Sequence, residues 1–260
     1  MKQLSLVMLI IGVTATGAAA AAGDQGAAPA PPPIQRPAPD FLFGEPNGSV
    51  GIRGSWVFAR AGSDIFDFVR DRLTVDEGAF NAPAIGTDVA IAINPRLDAV
   101  FGVDFSQASV ASEYRNLVDN NRQPIEQTTL LREVNLGGTL RVALTPRGIG
   151  VSRLAWVPSR VTPYVGAGGG FLWYEFTQRG DFVDEAVPTR PVFTDLLSSK
   201  GWTPSAHALG GVDLRIHRRT YVTLEGRYLW ADARLQPRFE RFDPIDLAGF
   251  RLSAGVNMLF

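Results

Sequence analysis

The chain has 260 residues, a formal net charge of −1 and no cysteine. This excludes disulfides, thiolate metal sites and a cysteine nucleophile, and it leaves no global field to recruit nucleic acid or an anionic membrane surface. Twenty-seven glycines and a tenth aromatic content favour sheet and turns over a helical bundle, within one large or two small domains.

Residues 1–22 have the pattern of a cleaved export signal: Lys2 as the positive start, an apolar core over residues 4–13, and a small-residue run over 14–22 with cleavage expected within 18–22. The apolar stretch is far shorter than the roughly 20 residues a spanning helix requires. No other segment suits a membrane helix, so membrane residence would require a closed barrel. Residues 23–46 are rich in proline and alanine, which predicts an extended, unstructured leader. The folded part is expected over 47–260.

From residue 47 onward, apolar and polar side chains alternate in segment after segment, the period of a strand with two unlike faces. Strand one covers 50–58, with Val50, Ile52, Trp56 and Phe58 on one face and Arg53 and Ser55 on the other. Within the insertion 63–83, Ile65, Phe66, Val69 and Leu73 are spaced for a short amphipathic helix. Strand two, 85–94, ends at the turn Pro95–Arg96. Strand three, 97 to about 109, is followed by an expected loop over 113–127. Strand four spans about 130–144, and 145–160 connects to strand five, 161–176. The longest expected loop is 177–203. Strand six, 205–216, links through His217, Arg218 and Arg219 to strand seven, 220–233; a charged loop, 236–246, leads to strand eight, 247–260. Connections alternate long and short, with one intermediate, the arrangement of an outer-membrane barrel. No helical period separates the strands, so parallel βαβ folds are excluded.

One face gathers Arg53, Asp88, Asp104, Glu133, Arg141, Asp213, Arg215, Glu225, Arg227 and Arg251. Periodicity does not say whether that face points inward or outward; a soluble β-sandwich would turn it to water. Three features favour polar-inside. Trp56, Trp173, Tyr228 and Trp230 share the apolar face near strand ends, with Phe260, as an interfacial aromatic girdle would. Gly166, Gly168 and Gly170 leave room on the polar face, as a crowded lumen would need. The export signal and the terminal Phe260 suit the same destination.

Two stretches carry a family resemblance: Thr162-Pro163-Tyr164-Val165-Gly166-Ala167-Gly168-Gly169-Gly170 and the final Gly255-Val256-Asn257-Met258-Leu259-Phe260. The chain resembles the eight-stranded outer-membrane β-barrels of Gram-negative bacteria, the grouping of the OmpA transmembrane domain, OmpX, OmpW and the opacity-type proteins. The resemblance covers about 48–260. It implies an all-β, eight-stranded antiparallel up-and-down transmembrane barrel with a polar lumen and a lipid-facing apolar exterior, in the bacterial outer membrane. Phe250, Gly255, Met258 and Phe260 match the terminal-strand signal read by the barrel-assembly machinery. The implied partners are that machinery, outer-membrane lipid and lipopolysaccharide, with no nucleic acid, and the barrel is expected as a monomer.

An eight-stranded barrel has an interior that side chains fill, so the ten charges are expected to pair there, as a structural network or a narrow gated path. No cofactor and no metal-ligand spacing are expected, although Asp181, Asp184 and Glu185 in a loop could take up Ca²⁺ or lipopolysaccharide-bridging cations. Gly166 to Gly170 lies within a strand and is no phosphate cradle. His207, beside Ser205 near the outer end of strand six, is the one candidate for lipid-modifying catalysis; His217 sits in a basic turn. The expected role is non-enzymatic, structural or adhesive through the loops. A narrow solute channel of the OmpW kind is the alternative, and a lipid-acting enzyme a third reading.

Overall fold

The alternation read from residue 47 onward closes on itself. In the computed structural model, which describes residues 41–260 except 120, 121, 153, 185, 186, 188, 190 and 240, the elements run in chain order. They are β1 (Gly48–Ala59), α1 (Asp64–Arg72), β2 (Ala82–Asn94), β3 (Leu97–Val118), β4 (Pro124–Ala143), β5 (Gly148–Ser152), β6 (Ala155–Pro158), β7 (Val161–Val183), β8 (Val192–Arg215), β9 (Thr220–Trp230), β10 (Asp232–Ala233), β11 (Ile245–Asp246) and β12 (Gly249–Leu259). Eight strands form a closed barrel in the order β1-β12-β9-β8-β7-β4-β3-β2. β1 closes it by pairing antiparallel with β12 on one side and β2 on the other. The predicted export signal and residues 23–40 lie outside the described residues. The expected spacer to residue 46 ends earlier as a separate segment: Leu42 exchanges backbone hydrogen bonds with Trp156 of β6 at 2.7 and 3.0 Å.

The outward faces are apolar across the whole belt. Ile52 is 68 % exposed, Phe171 60 % and Ile216 64 %. Soluble monomers rarely expose apolar patches beyond about 300–600 Å², whereas this surface encircles the barrel. Thr87, outward on β2, hydrogen-bonds its hydroxyl to the Gly51 carbonyl at 2.8 Å, so its one polar group is satisfied without water. At one end the belt stops at Phe58, Trp173, Trp202 and Trp230; immediately beyond, the outward positions become Arg60, Gln107, Arg132, Glu175, Lys200 and Asp232. This end bears the long connections and is termed the loop end. The opposite, turn end carries Pro95–Arg96, residues 144–160 and residues 216–219.

Two expected loops are strand instead. The β3–β4 ladder continues to Val118↔Pro124 and the β7–β8 ladder to Val183↔Val192, so 113–118 with 124–127 and 177–183 with 192–203 are the outer arms of long hairpins. Neighbouring ladders stop far sooner, at Ala84↔Ser106 and Ala206↔Trp230. A four-stranded half-wall of β3, β4, β7 and β8 therefore stands beyond the belt with two edges that need partners. Other loop-end segments supply them. Thr74 donates its N–H to the Glu113 carbonyl at 2.8 Å and Leu73 bridges Tyr114. Gln236 and Arg238 cap the Lys200 and Leu196 carbonyls at 3.0 and 2.9 Å. The connection 145–160, expected as a plain link, contains the small β5–β6 hairpin, and strand seven ends at Trp230 rather than at 233.

The predicted amphipathic helix is α1. Asp64 and Asp67 lie in its first turn and Arg70 and Arg72 in its last, each sign complementing the helix dipole. It buries Ile65, Phe66 and Val69 against the inward faces of the half-wall. Phe66 meets Phe80 and Phe176 edge-on at 4.8 and 5.9 Å. Leu131, Leu172, Tyr174 and Leu229, all on barrel strands, and Phe239, Ile245 and Leu247 from the 231–248 connection complete one apolar core.

Candidate functional site

The lumen is built in two halves. Toward the turn end the inward positions carry the charged and most of the polar side chains, with Ala90, Ala92, Val100 and Leu209 among them; nearer the loop end an apolar layer joins the core around α1. The charged half begins with Asp98, which Arg141 contacts at 3.0 Å and which also holds Arg147. Arg141 reaches Asp213 at 3.5 Å and stacks over the Tyr164 ring at 4.7 Å. Midway, Arg53 grips Asp104 through Nε and Nη2 at 2.9 and 2.8 Å and Asp88 through Nη1 at 2.6 Å. Arg227 contacts Glu225 at 2.8 Å and Asp104 at 3.6 Å. Nearest the apolar half, Arg251 meets Glu133 at 2.8 Å, and Ser106 donates to the same carboxylate at 3.4 Å.

The structure thus joins Arg53, Asp88, Asp104, Glu133, Arg141, Asp213, Glu225, Arg227 and Arg251 of the candidate charges in these ion pairs; Arg215, itself engaged within the protein, lines the cavity at the turn end with His217 and Tyr221. Asp98 was legible as a residue of the polar face but was not among the ten candidates. Arg147 lies in the connection between β4 and β5, and no periodicity marks it as a lumen group. With these two included, Arg53, Arg141, Arg147, Arg215, Arg227 and Arg251 face Asp88, Asp98, Asp104, Glu133, Asp213 and Glu225. The charges balance, so the lumen has no net sign with which to select a cation or an anion. Tyr164 adds a neutral member, donating its hydroxyl to Glu225 at 3.0 Å. Tyr164→Phe is expected to lower unfolding stability by about 1.5–3 kcal/mol, the range for a hydrogen bond to a charged group, as measured by urea unfolding of the vesicle-embedded barrel.

His207 is not at the outer end of its strand, because β8 continues far beyond it. It is 2 % exposed, its Nε2 hydrogen-bonds the Thr139 hydroxyl at 2.7 Å, and its Cε1 lies near Gly137. The ring sits in mid-lumen, enclosed by β4 and β8, with no path to the apolar belt where a lipid would lie. His217 is exposed in its turn. Among the loop acids, Asp181 accepts a hydrogen bond from Thr194 at 2.6 Å; Glu185 lies outside the described residues. No group of three metal-ligating side chains occurs among the described residues.

The lumen-facing glycines have a reason other than spare volume. A Cβ on Gly168 would lie 2.0 Å from the Gly138 carbonyl oxygen, and one on Gly170 would lie 1.9 Å from that of Leu136. The absent side chains permit the close approach of β4 and β7. Of the four aromatic girdle candidates, Trp56 and Trp230 are exposed and Trp173 and Tyr228 half-buried on the outward face. Trp202, in a segment expected as loop, pairs in register with Trp173 and belongs with them. Phe250, Met258 and Phe260 face outward on or beside β12. Gly255 faces inward, where a Cβ would meet Arg53 Cβ at 3.0 Å.

A closed antiparallel eight-stranded barrel with paired charges inside and an uncharged apolar belt outside is a membrane-spanning β-barrel. Similar solved structures include Neisserial surface protein A (13 % identity, 82 % of this chain and 99 % of that chain, TM-score 0.45). OprG from Pseudomonas aeruginosa is similar at 11 % identity, over 84 % of this chain and 99 % of that one, with a TM-score of 0.43. Ail of Yersinia pestis is similar at 12 % identity, over 82 % and 99 %, with a TM-score of 0.40. No protein-family profile and no curated protein matches the chain.

Proposed function

We propose that this chain is an outer-membrane protein whose barrel is a sealed, non-enzymatic scaffold, holding the half-wall of β3, β4, β7 and β8 outside the cell as a rigid binding surface. The observation that carries this reading is the filled interior: an electrically balanced ion-pair network occupies one half, and the apolar core around α1 occupies the other. A solute would have to displace buried Phe66, Phe80, Leu172 and Tyr174 and then part Arg251 from Glu133. The loop connections that could otherwise move freely are engaged as edge caps, which leaves the hairpin arms as the presented surface. Long connections outside and short turns inside give the orientation. The belt is then in contact with outer-membrane lipid and lipopolysaccharide, and β12, with Phe250, Gly255, Met258 and Phe260, is the segment handed to the assembly machinery. The buried, lipid-inaccessible His207 supports the non-enzymatic reading.

Two measurements test this. In planar bilayers the purified barrel is expected to give no discrete conductance steps; persistent steps would replace the sealed scaffold with the narrow-channel reading. The chain has no cysteine, so a Val187→Cys variant offers a single thiol at the β7–β8 connection. A membrane-impermeant maleimide is expected to label it on intact cells, and protection there with labelling only after lysis would reverse the orientation.

A further inference from the structure

We propose that the turn end carries a basic rim that binds the phosphodiester headgroups of anionic phospholipids in the adjoining leaflet. This rests on the membrane reading above. Each of the three connections at this end places arginine at the edge of the belt: Arg96 between β2 and β3, Arg160 between β6 and β7, and Arg218 with Arg219 between β8 and β9. Arg96, Arg160 and Arg219 are exposed. Each lies within a few residues of an outward apolar side chain that ends the belt: Ile93 at 55 %, Val161 at 53 % and Ile216 at 64 % exposure. A strand advances only about 3.3 Å per residue. A flexible arginine side chain so placed lays its stem along the apolar surface and its guanidinium at headgroup depth.

Among the described residues, no acidic side chain pairs with Arg96, Arg160 or Arg219. Asp98 and Asp213, the acids nearest this end, face the lumen and are engaged by Arg141 and Arg147. Outside that network, Glu45 is the one acidic side chain at this end among the described residues. The loop end differs: it interleaves Asp67 with Arg70 and Asp195 with Arg238 in ion pairs. Distribution around the circumference, level with the belt edge, fits a ring of lipid phosphates better than a polymer bound below the membrane. A guanidinium pairs with phosphate through parallel N–H donors, and a headgroup without an ammonium leaves that pairing uncompeted.

The test compares the full chain with the triple variant Arg96→Gln, Arg160→Gln, Arg219→Gln, both folded into vesicles of phosphatidylcholine containing phosphatidylglycerol. Both are then extracted with their surrounding lipid as nanodiscs, and the lipids are quantified. A heat-dependent shift on an SDS gel reports separately that each barrel has folded into the bilayer. Discs of the natural chain are expected to hold phosphatidylglycerol enriched several-fold over protein-free discs, in keeping with a partition gain of about fivefold per basic residue near an anionic surface. The enrichment is expected to fall to the bulk ratio in the triple variant, and to shrink in molar salt, where the screening length is about 3 Å. Folded discs of the natural chain at the bulk ratio overturn the proposal, as does enrichment that the triple variant keeps. Arginine-dependent sedimentation with peptidoglycan sacculi, without phosphatidylglycerol enrichment, also overturns it and gives the rim to that polymer. Absence of the gel shift in the natural chain marks failure of the membrane reading itself, and the proposal falls with it.

Discussion

Replacing Arg53 with methionine is expected to destabilise the folded barrel by about 3–5 kcal/mol, the cost of removing one partner from a buried ion pair. Among the described residues, Arg53 is the only one holding Asp88, at 2.6 Å, and it clasps Asp104 through two further hydrogen bonds. After its loss, Asp104 keeps Arg227 at 3.6 Å, and Asp88 keeps no ion pair among the described residues. The side chains of Asp88 and Asp104 are 14 % and 5 % exposed, so water does not take over. Urea unfolding in lipid vesicles, followed by tryptophan fluorescence, measures the loss. The companion variant Arg53→Met, Asp88→Leu, Asp104→Leu removes the whole cluster and leaves Arg227 with Glu225 at 2.8 Å. It is expected to recover most of the stability, because well-packed apolar groups replace buried ion pairs at little or no cost. A single-variant loss below about 1 kcal/mol, the range of solvated surface pairs, would mean that the lumen is hydrated, and the sealed-scaffold reading would lose its main support.

What the sequence made legible follows the belt. Within it, outward side chains are apolar and inward ones are mostly polar or small, and the contrast of period two marks every barrel strand. Beyond Trp173 and Trp202 the contrast disappears. The outward Glu126, Thr128, Arg179 and Ser198 stand opposite the inward Gln127, Thr129, Gln178 and Ser199, polar on both faces. Strand there has no amphipathic signature, so the hairpin arms looked like loops. The apolar half of the lumen was hidden for the converse reason. Leu131 and Leu172 occupy inward positions between polar neighbours, and their partners, Phe66 and Phe239 among them, lie far away in sequence; only closure of the barrel brings them together. The ion-pair network was legible as a set of like-facing charges. Its pairing was not, since Arg53 finds Asp104 two strands away across the lumen, and Arg147 enters from a connection.

The glycines of β7 set the other large effect. Gly170→Ala is expected to destabilise by about 3 kcal/mol, the upper range for overpacking, and Gly168→Val with Gly170→Val together are expected to prevent folding, seen as loss of the heat-dependent gel shift. The clash is with backbone: the added Cβ of residue 170 would sit 1.9 Å from the Leu136 oxygen and 2.8 Å from Gly137 Cα. No side-chain rotation relieves such a contact, so β4 and β7 would have to move apart along the ladder that pairs Gly137 with Gly170. Gly54→Ala is the control. Its Cβ would point outward with nothing within 4 Å, and its expected effect is neutral to a gain of about 0.4–1 kcal/mol from reduced freedom of the unfolded chain. Equal losses at 54 and 170 would show that the β4–β7 approach tolerates expansion. Otherwise the same approach that excludes a methyl group also narrows the lumen around His207 and Thr139, which ties closure of the wall to closure of the interior.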